Sequence, residues 1–155
     1  MKPKNIISAV LLIFVGLSVA YMVFDRQNAP DINSEDDVPQ NQKDGVIVYY
    51  FYGDKRCVTC KKLQGYAKEA LETSFSQQLA LGEVVWMPLN IDLSENKHFV
   101  KDYELVTKSV ILSKVRNGKE VKWQNLAKIW DKVSDKDDYL SYIKENVTEI
   151  LKGQG

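Results

Sequence analysis

From residue 46 onward, short apolar runs typical of strands alternate with segments in which apolar residues recur at helical spacing. Residues 46–52 form an unbroken run of β-branched and aromatic side chains, which is typical of a buried strand. After a short polar loop, apolar residues recur at helical spacing from Leu63 to Leu71. A second strand is predicted over residues 84–91, where Pro88 indicates an edge strand or a bulge. The first half of this region therefore predicts a strand, a helix and a second strand.

The second half of the region continues the alternation and ends in helices. Asn117-Gly118 separates two short apolar runs, which predicts a tight hairpin. Ser94 is the predicted N-cap of a helix that runs through Tyr103. The other predicted elements are a short helix over residues 75–81 ended by Gly82, strands over residues 109–115 and 119–123, and helices over residues 124–133 and 137–151. The order β-α-β-α-β-β-α predicts an α/β sandwich over residues 46–152, with a parallel first pair of strands and an antiparallel last pair.

A different pattern precedes this region. Residues 6–24 contain no charged side chain, and as a helix they would be about 28 Å long, close to the roughly 30 Å hydrocarbon core of a membrane. Ser18-Val19-Ala20 is an acceptable cleavage site for a secretory signal, so two interpretations compete. The apolar run continues through Phe24, which favours an uncleaved membrane-spanning anchor over residues 1–24.

Residues 25–45 are polar and acidic and show no apolar period, so they are predicted to form a flexible tether. Lys2 and Lys4 precede the apolar stretch and are expected to remain in the cytoplasm, because cytoplasmic flanks carry the excess of lysine and arginine. The sequence therefore predicts a single-pass membrane protein whose C-terminal domain is extracytoplasmic, in the periplasm or at the cell exterior.

Composition limits the class of function. The 155 residues include 21 basic and 21 acidic side chains, a net charge of +0, and no nucleic-acid partner is expected without a basic excess. The chain has two cysteines, which excludes a disulfide-rich scaffold. No flavin, dinucleotide or phosphate-loop motif occurs, so no cofactor is predicted.

Both cysteines lie in Cys57-Val58-Thr59-Cys60, where the first predicted strand gives way to a helix. Residues three apart lie on one helical face, so the two sulfurs can meet. The free backbone N–H groups of a helix start favour a thiolate, and neighbouring cations lower the thiol pKa further. Cys57 is the predicted attacking sulfur and Cys60 the resolving one. The predicted thiolate-supporting residues are Lys55, Arg56, Thr59 and Lys61.

The spacing leaves three roles for the pair open: a redox-active couple, a structural disulfide and a metal site. A closed zinc site needs four ligands, and the only histidine, His98, is predicted to lie on the surface of the 94–103 helix. A soft ion such as Cu(I), which binds through two thiolates, remains an alternative. No metal site is included in the predicted function.

The C-x-x-C pair at the start of the first helix of a βαβ unit resembles the thioredoxin-like redox signature. Three positions depart from that family. Phe51 stands six residues before the first cysteine, where thioredoxins have a buried acid, and Gly53 replaces the usual tryptophan. The loop expected to face the cysteines is Thr107-Lys108-Ser109, in which Ser109 replaces the cis-proline. This places substrate docking by that loop in question.

A second resemblance covers most of the domain. The chain is similar to a family of small membrane-anchored thioredoxin-like proteins named after a nitrophenyl-compound nitroreductase subunit. The motifs that carry the resemblance are Tyr50-Phe51-Tyr52-Gly53, Arg56-Cys57-Val58-Thr59-Cys60, Asn90-Ile91-Asp92, Glu95-Asn96-Lys97-His98-Phe99 and Asp102-Tyr103. It implies a contribution as a thiol partner, because nitro reduction needs a flavin or another electron carrier.

The sequence predicts a membrane-tethered thiol–disulfide oxidoreductase that acts on a thiol- or disulfide-bearing protein. A non-enzymatic subunit is the alternative. It would use Cys57 and Cys60 to bind a partner protein or a soft metal ion, or as a structural staple.

Overall fold

Four strands form one mixed sheet in the computed structural model, which describes residues 44–153. The strands are β1 (Gly45–Tyr52), β2 (Val84–Asn90), β3 (Ser109–Arg116) and β4 (Lys119–Asn125). Their order across the sheet is β2-β1-β3-β4. β1 is parallel to β2 and antiparallel to β3, and β3 is antiparallel to β4.

Five helices connect and cover the strands within this part of the chain. They are α1 (Val58–Ser74), α2 (Ser76–Leu81), α3 (His98–Asp102), α4 (Ile129–Lys132) and α5 (Lys136–Lys152). None of the helices within residues 44–153 is long and apolar enough to cross a membrane. The anchor predicted over residues 1–24 and residues 25–43 of the predicted tether lie outside the described residues. Gly45, the last residue of the predicted tether, begins β1 instead.

The alternation of β1 divides the core into two faces. Val46, Val48 and Tyr50 pack with the buried residues of α1 and α5, and we call this side of the sheet the helical face. The intervening residues pack with a second cluster, and we call that side the aromatic face. It comprises Ile47, Tyr49, Phe51, Phe99, Tyr103, Leu105, Ile111 and Val115. Because successive strand residues point to opposite sides, one run of apolar residues supplies both cores. The continuous apolar pattern of residues 46–52 is thus explained by burial on both faces.

Two turn predictions are confirmed. Asn117 and Gly118 have φ values of 53° and 73°, the positive pair that a two-residue hairpin turn needs to match the twist of its strands. Gly82 ends α2 in the left-handed conformation with φ 75°. Pro88 lies in β2, an edge strand of the sheet, as its missing N–H requires.

The helix predicted over residues 94–103 is wrong in form. A 3₁₀ turn (Ser94–Asn96) is followed by the short helix α3 instead. Ser94 is not the N-cap, because its hydroxyl donates to the Glu95 carboxylate at 3.1 Å and caps no backbone N–H. Phe99 is the one buried residue of α3, so the segment lacks the apolar stripe that would stabilise a longer helix.

The helix predicted over residues 124–133 is wrong in extent. Gln124 and Asn125 continue β4, where they pair with Leu112 and Ile111 of β3. The Gln124 amide also donates to the Asn146 side chain at 2.9 Å. Tertiary pairing therefore overrides the local pattern, and only the four residues of α4 are helical.

Candidate functional site

Cys57 and Cys60 form a disulfide across the first turn of α1. Cys57 is the N-cap of the helix, and its Sγ accepts a hydrogen bond from the backbone N–H of Cys60 at 3.0 Å. Cys57 is exposed, whereas only 3% of the Cys60 surface is accessible. The pair thus joins one exposed residue to one buried residue.

The start of α1 is electrostatically suited to a thiolate. No acidic residue lies in the first turn, and the N–H groups of a helix N-terminus carry partial positive charge. Lys61 lies one turn below Cys57 and donates its backbone N–H to the Cys57 carbonyl at 3.1 Å. Thr59 lies half-buried within the first turn. Backbone N–H groups of a helix start and nearby cations in general favour the charged form of a thiol.

Arg56 is held in place directly before the pair. Its guanidinium lies over the ring of Tyr52, 4.2 Å from the centroid, and donates to the side-chain oxygen of Gln64. Gln64 is two helical turns beyond Cys57, so the Arg56 side chain folds along the side of α1 that carries the exposed sulfur. Lys55 is exposed and lines a groove beside the same loop. The predicted cations therefore lie near the pair, and one of them has a fixed position.

A polar network holds the loop that leads into Cys57. The backbone N–H of Asp54 donates to the Asp92 carboxylate at 2.7 Å, and the Asn90 amide donates to the Asp54 carboxylate at 2.7 Å. The N–H of Asp92 donates to the Asn90 side chain at 3.0 Å, which closes the network. A side chain at Gly53 would bring its Cβ to 2.6 Å from the Asp92 carboxylate, so a larger residue there would displace that carboxylate from its bond to Asp54. The sequence motifs included Asn90 and Asp92 but gave no sign of this role.

Tyr50 lies beneath the cysteine pair, on the helical face. Its hydroxyl donates to the Cys60 carbonyl at 2.7 Å. Desolvation by burial raises the pKa of Tyr50 to about 12, and the nearby Arg56 charge opposes this only in part. The hydroxyl consequently stays protonated at neutral pH and acts as a donor. Phe51, the residue that counting from the cysteine matched to the buried acid of thioredoxins, lies on the opposite, aromatic face.

The loop before β3, residues 107–109, has polar groups that form hydrogen bonds within the protein. The Ser109 hydroxyl donates to the Thr107 carbonyl at 2.9 Å, and the Trp130 indole N–H donates to the Lys108 carbonyl at 3.0 Å. No peptide bond between residues 44 and 153 is cis, in accord with Ser109 in place of proline. Thr107 and Lys108 lie across a groove of about 390 Å³ from Lys55, so this loop faces the segment that leads into the pair.

The two sulfurs have no third potential metal ligand grouped with them in the described part of the chain. No cluster of three or more potential ligands from histidine, cysteine, aspartate and glutamate occurs within residues 44–153. His98 is exposed at the start of α3, with its ring centroid 4.1 Å from that of Phe99. Both sulfurs are already bonded to each other.

Among known proteins, the chain is similar to several solved structures of thioredoxins. Oxidised mitochondrial thioredoxin 3 of Saccharomyces cerevisiae is 14% identical, with 70% of this chain and 81% of that chain covered and a TM-score of 0.43. Oxidised thioredoxin of Plasmodium falciparum is 15% identical, covering 67% and 83%, with a TM-score of 0.43. A mutant thioredoxin of Halobacterium salinarum NRC-1 is 19% identical, covering 77% and 85%, also with a TM-score of 0.43.

No protein-family model matches the chain, and no curated protein does. At such low identities and TM-scores, the structural likenesses carry no argument about activity. The thioredoxin-like α/β fold is established by the molecule itself, through the strand order β2-β1-β3-β4 and the cysteine pair at the junction of β1 and α1. The thioredoxin-like α/β part of the predicted fold class is thereby confirmed, whereas the predicted N-terminal membrane helix lies outside the described residues.

Proposed function

We propose that the protein is a thiol–disulfide oxidoreductase whose reactive group is the Cys57–Cys60 pair. The observation that carries the proposal is the asymmetry of the disulfide at the helix start. Cys57 is exposed to an incoming sulfur, and Cys60 is buried directly behind it. Attack is therefore directed to one sulfur, and the other becomes the leaving group.

The reaction with a dithiol partner proceeds in two displacements. The partner's thiolate attacks Sγ of Cys57, the Cys57–Cys60 bond breaks, and its electron pair leaves on Cys60, which takes a proton from water. The partner's second thiolate then attacks the partner sulfur of the mixed disulfide and expels Cys57 as a thiolate. Two electrons pass from the partner to this chain, and the partner ends as a disulfide. Of the two protons that the partner's thiols release, one is balanced by Cys60, and the other passes to solvent while Cys57 remains a thiolate.

The chain's own residues lower the free energy of the charged species. The helix N-terminus, Arg56 and Lys61 favour the Cys57 thiolate, which leaves in the second displacement. Tyr50 holds the backbone carbonyl of Cys60 and so fixes the turn that brings the two sulfurs together. Run in reverse, the same steps reduce a disulfide of the partner, and the reduction potential of the pair decides the direction.

We propose further that the domain is tethered to a membrane and faces the extracytoplasmic space. The uncharged residues 6–24 and the preceding Lys2 and Lys4 support this arrangement. The resemblance to the nitrophenyl-compound nitroreductase subunit family supports a role as a thiol partner. Protease added to intact cells, or to cells stripped of any outer membrane, should digest a C-terminal tag. A tag that is protected in both preparations and digested only after lysis would contradict this arrangement.

A redox titration tests the central proposal. The full chain, kept in a neutral detergent, is equilibrated with glutathione buffers and its free thiols are alkylated and counted. We expect a midpoint between about −270 and −120 mV, the range of thioredoxin-fold oxidoreductases, whereas structural disulfides lie below about −300 mV. A pair that resists reduction would contradict the proposal. Metal bound stoichiometrically by the purified chain would instead support the binding subunit.

Trapping provides the matched control. Cys60→Ser should accumulate mixed disulfides with the physiological partner, because the resolving sulfur is missing. Cys57→Ser should accumulate far fewer, since the remaining sulfur is buried. Equal trapping by both variants would contradict the assigned roles.

A further inference from the structure

The chain is neutral as a whole, but its charge is unevenly distributed around the cysteine pair. Residues 55–64 include four cations and no acid, against a net charge of +0 for all 155 residues. The cations are Lys55, Arg56, Lys61 and Lys62, and all four are exposed. A fifth cation, Lys108, lies across the groove from Lys55.

Helix geometry directs these charges toward the exposed sulfur. Lys61 lies four residues after Cys57, and Lys62 lies four residues after Val58, so each is one turn from the site. Side chains in a helix lean toward its N-terminus, so Lys61 extends toward Cys57 and Lys62 toward the neighbouring Val58. Arg56 is fixed on the same side by its contacts with Tyr52 and Gln64.

The neighbouring acids are already engaged elsewhere. Asp54 and Asp92 accept hydrogen bonds within the loop network described above. Farther along α1, Glu69 pairs with Lys136 at 2.7 Å and Glu72 pairs with Lys68 at 3.4 Å. Among residues 44–153, none of the four cations at positions 55–64 forms an ion pair.

We infer that the physiological partner carries aspartate or glutamate residues beside its own reactive cysteine. This inference rests on the proposed function, since it names the partner class of that same site. The unpaired cations would meet the partner's carboxylates when the two sulfurs approach. Such rim charges act mainly on the rate of association and on the choice of partner. Val58, 75% exposed between the cysteines, would contact the residue next to the partner's cysteine.

Reduction of the disulfide by three synthetic dithiol peptides tests the inference. The peptides share one Cys-x-x-Cys core and differ in flanking residues, which are glutamates, lysines or serines. Second-order rate constants are measured with the full chain in a neutral detergent. In about 20 mM salt, we expect the acidic peptide to react roughly tenfold faster than the basic one. In about 1 M salt the rates should converge, because the Debye length falls to about 3 Å.

Two variants locate the effect. Lys62→Gln should reduce the advantage of the acidic peptide, because this cation lies one turn from the site and has no role in the proposed chemistry. Lys68→Gln is the matched control. It lies farther along the same helix and already pairs with Glu72, so the advantage should not change.

The possible failures are distinguishable. Equal rates for the three peptides at low salt, or a faster basic peptide, would overturn the inference and leave the oxidoreductase intact. Failure of all three peptides to reduce the disulfide, at any salt concentration, would count against the proposed function itself.

Discussion

The two faces of the sheet have similar apolar residues but different relations to the cysteine pair. On the helical face, buried hydroxyl groups bind the backbone of α1: Tyr50 donates to the Cys60 carbonyl and Tyr139 to the Leu63 carbonyl at 2.8 Å. On the aromatic face, the hydroxyl of Tyr103 donates to Glu120 on β4, which is remote from α1 in the sheet order. One face therefore positions the candidate chemistry, whereas the other contributes stability.

Removal of an aromatic ring is the most severe test of this division. Phe51 is fully buried, with ring centroids 5.3 Å from Tyr49, 5.2 Å from Phe99 and 5.5 Å from Tyr103. Phe51→Ala should lower the free energy of unfolding by about 3–5 kcal/mol, from lost apolar burial and the cavity left behind. The redox equilibrium with glutathione should not change. Denaturant unfolding and redox titration of the full chain measure the two quantities.

Phe51→Leu is the control if the alanine variant does not fold. It keeps most of the apolar volume, so its loss of stability should be smaller and its potential again unchanged. A shift in potential that grows with the loss of stability in these two variants would remove the distinction between the faces.

Alkaline pH provides a test on the helical face. The pKa of Tyr50 in the folded chain is about 12, above the ordinary value of 10.0. The folded state therefore holds the proton more tightly than the unfolded state. The stability contributed by protonated Tyr50 is fully present below pH 10 and is lost as the pH rises through 12. By pH 12 the folded state has lost about 2 kcal/mol of stability from this source.

Tyr50→Phe should remove that part of the pH dependence. Its unfolding free energy should fall less steeply than that of the unchanged chain between about pH 10 and 12, measured by denaturant titration at each pH. Comparison at equal pH cancels the titration of the lysines. If the unfolding free energies of the two proteins fell in parallel with pH, burial of Tyr50 would not contribute to the pH dependence of stability.

Local patterns predicted the elements and the cysteine pairing that depend on neighbouring residues. Residues 46–52 carried the signal for β1 in their own side chains, and Asn117-Gly118 determined the hairpin turn by backbone preference. The cysteine pair was predictable because its spacing and its helix start occupy a few consecutive positions. The sequence thus predicted the main elements, their order and the Cys57–Cys60 disulfide.

Features that depend on register could not be predicted. The Asp54–Asn90–Asp92 network joins residues 36 and 38 positions apart, which meet only after β1 and β2 pair. Tyr50 was missed because a one-residue offset in a strand moves a side chain to the opposite face, so counting from Cys57 selected Phe51.

Lys114 is a further example, because its charge in β3 gave no sign of burial. It is only 8% exposed, and its ammonium donates to the carbonyls of Ile150 at 2.6 Å, Leu151 at 3.2 Å and Gly153 at 3.1 Å. Desolvation lowers its pKa, and the charges of Arg116 and Lys122 act in the same direction. The end of α5 supplies the carbonyl partners, and no local pattern connects it to β3.

The smallest effect gives the closest comparison of the two faces, because Tyr50→Phe and Tyr103→Phe each remove one hydroxyl and keep the ring. At neutral pH Tyr50→Phe should lose about 1 kcal/mol of stability, the net value of one neutral hydrogen bond, and Tyr103→Phe about 1.5–3 kcal/mol, because its acceptor is the Glu120 carboxylate. Only Tyr50→Phe should move the redox equilibrium, since its bond to the Cys60 carbonyl fixes the turn closed by the disulfide. Loss of that bond should favour the dithiol form by up to about fivefold, the equivalent of 1 kcal/mol.

The glutathione equilibrium constants of both variants provide the measurement. Equal shifts in the two would mean that the aromatic face also acts on the cysteine pair, whereas a shift in Tyr50→Phe alone would assign that influence to the helical face.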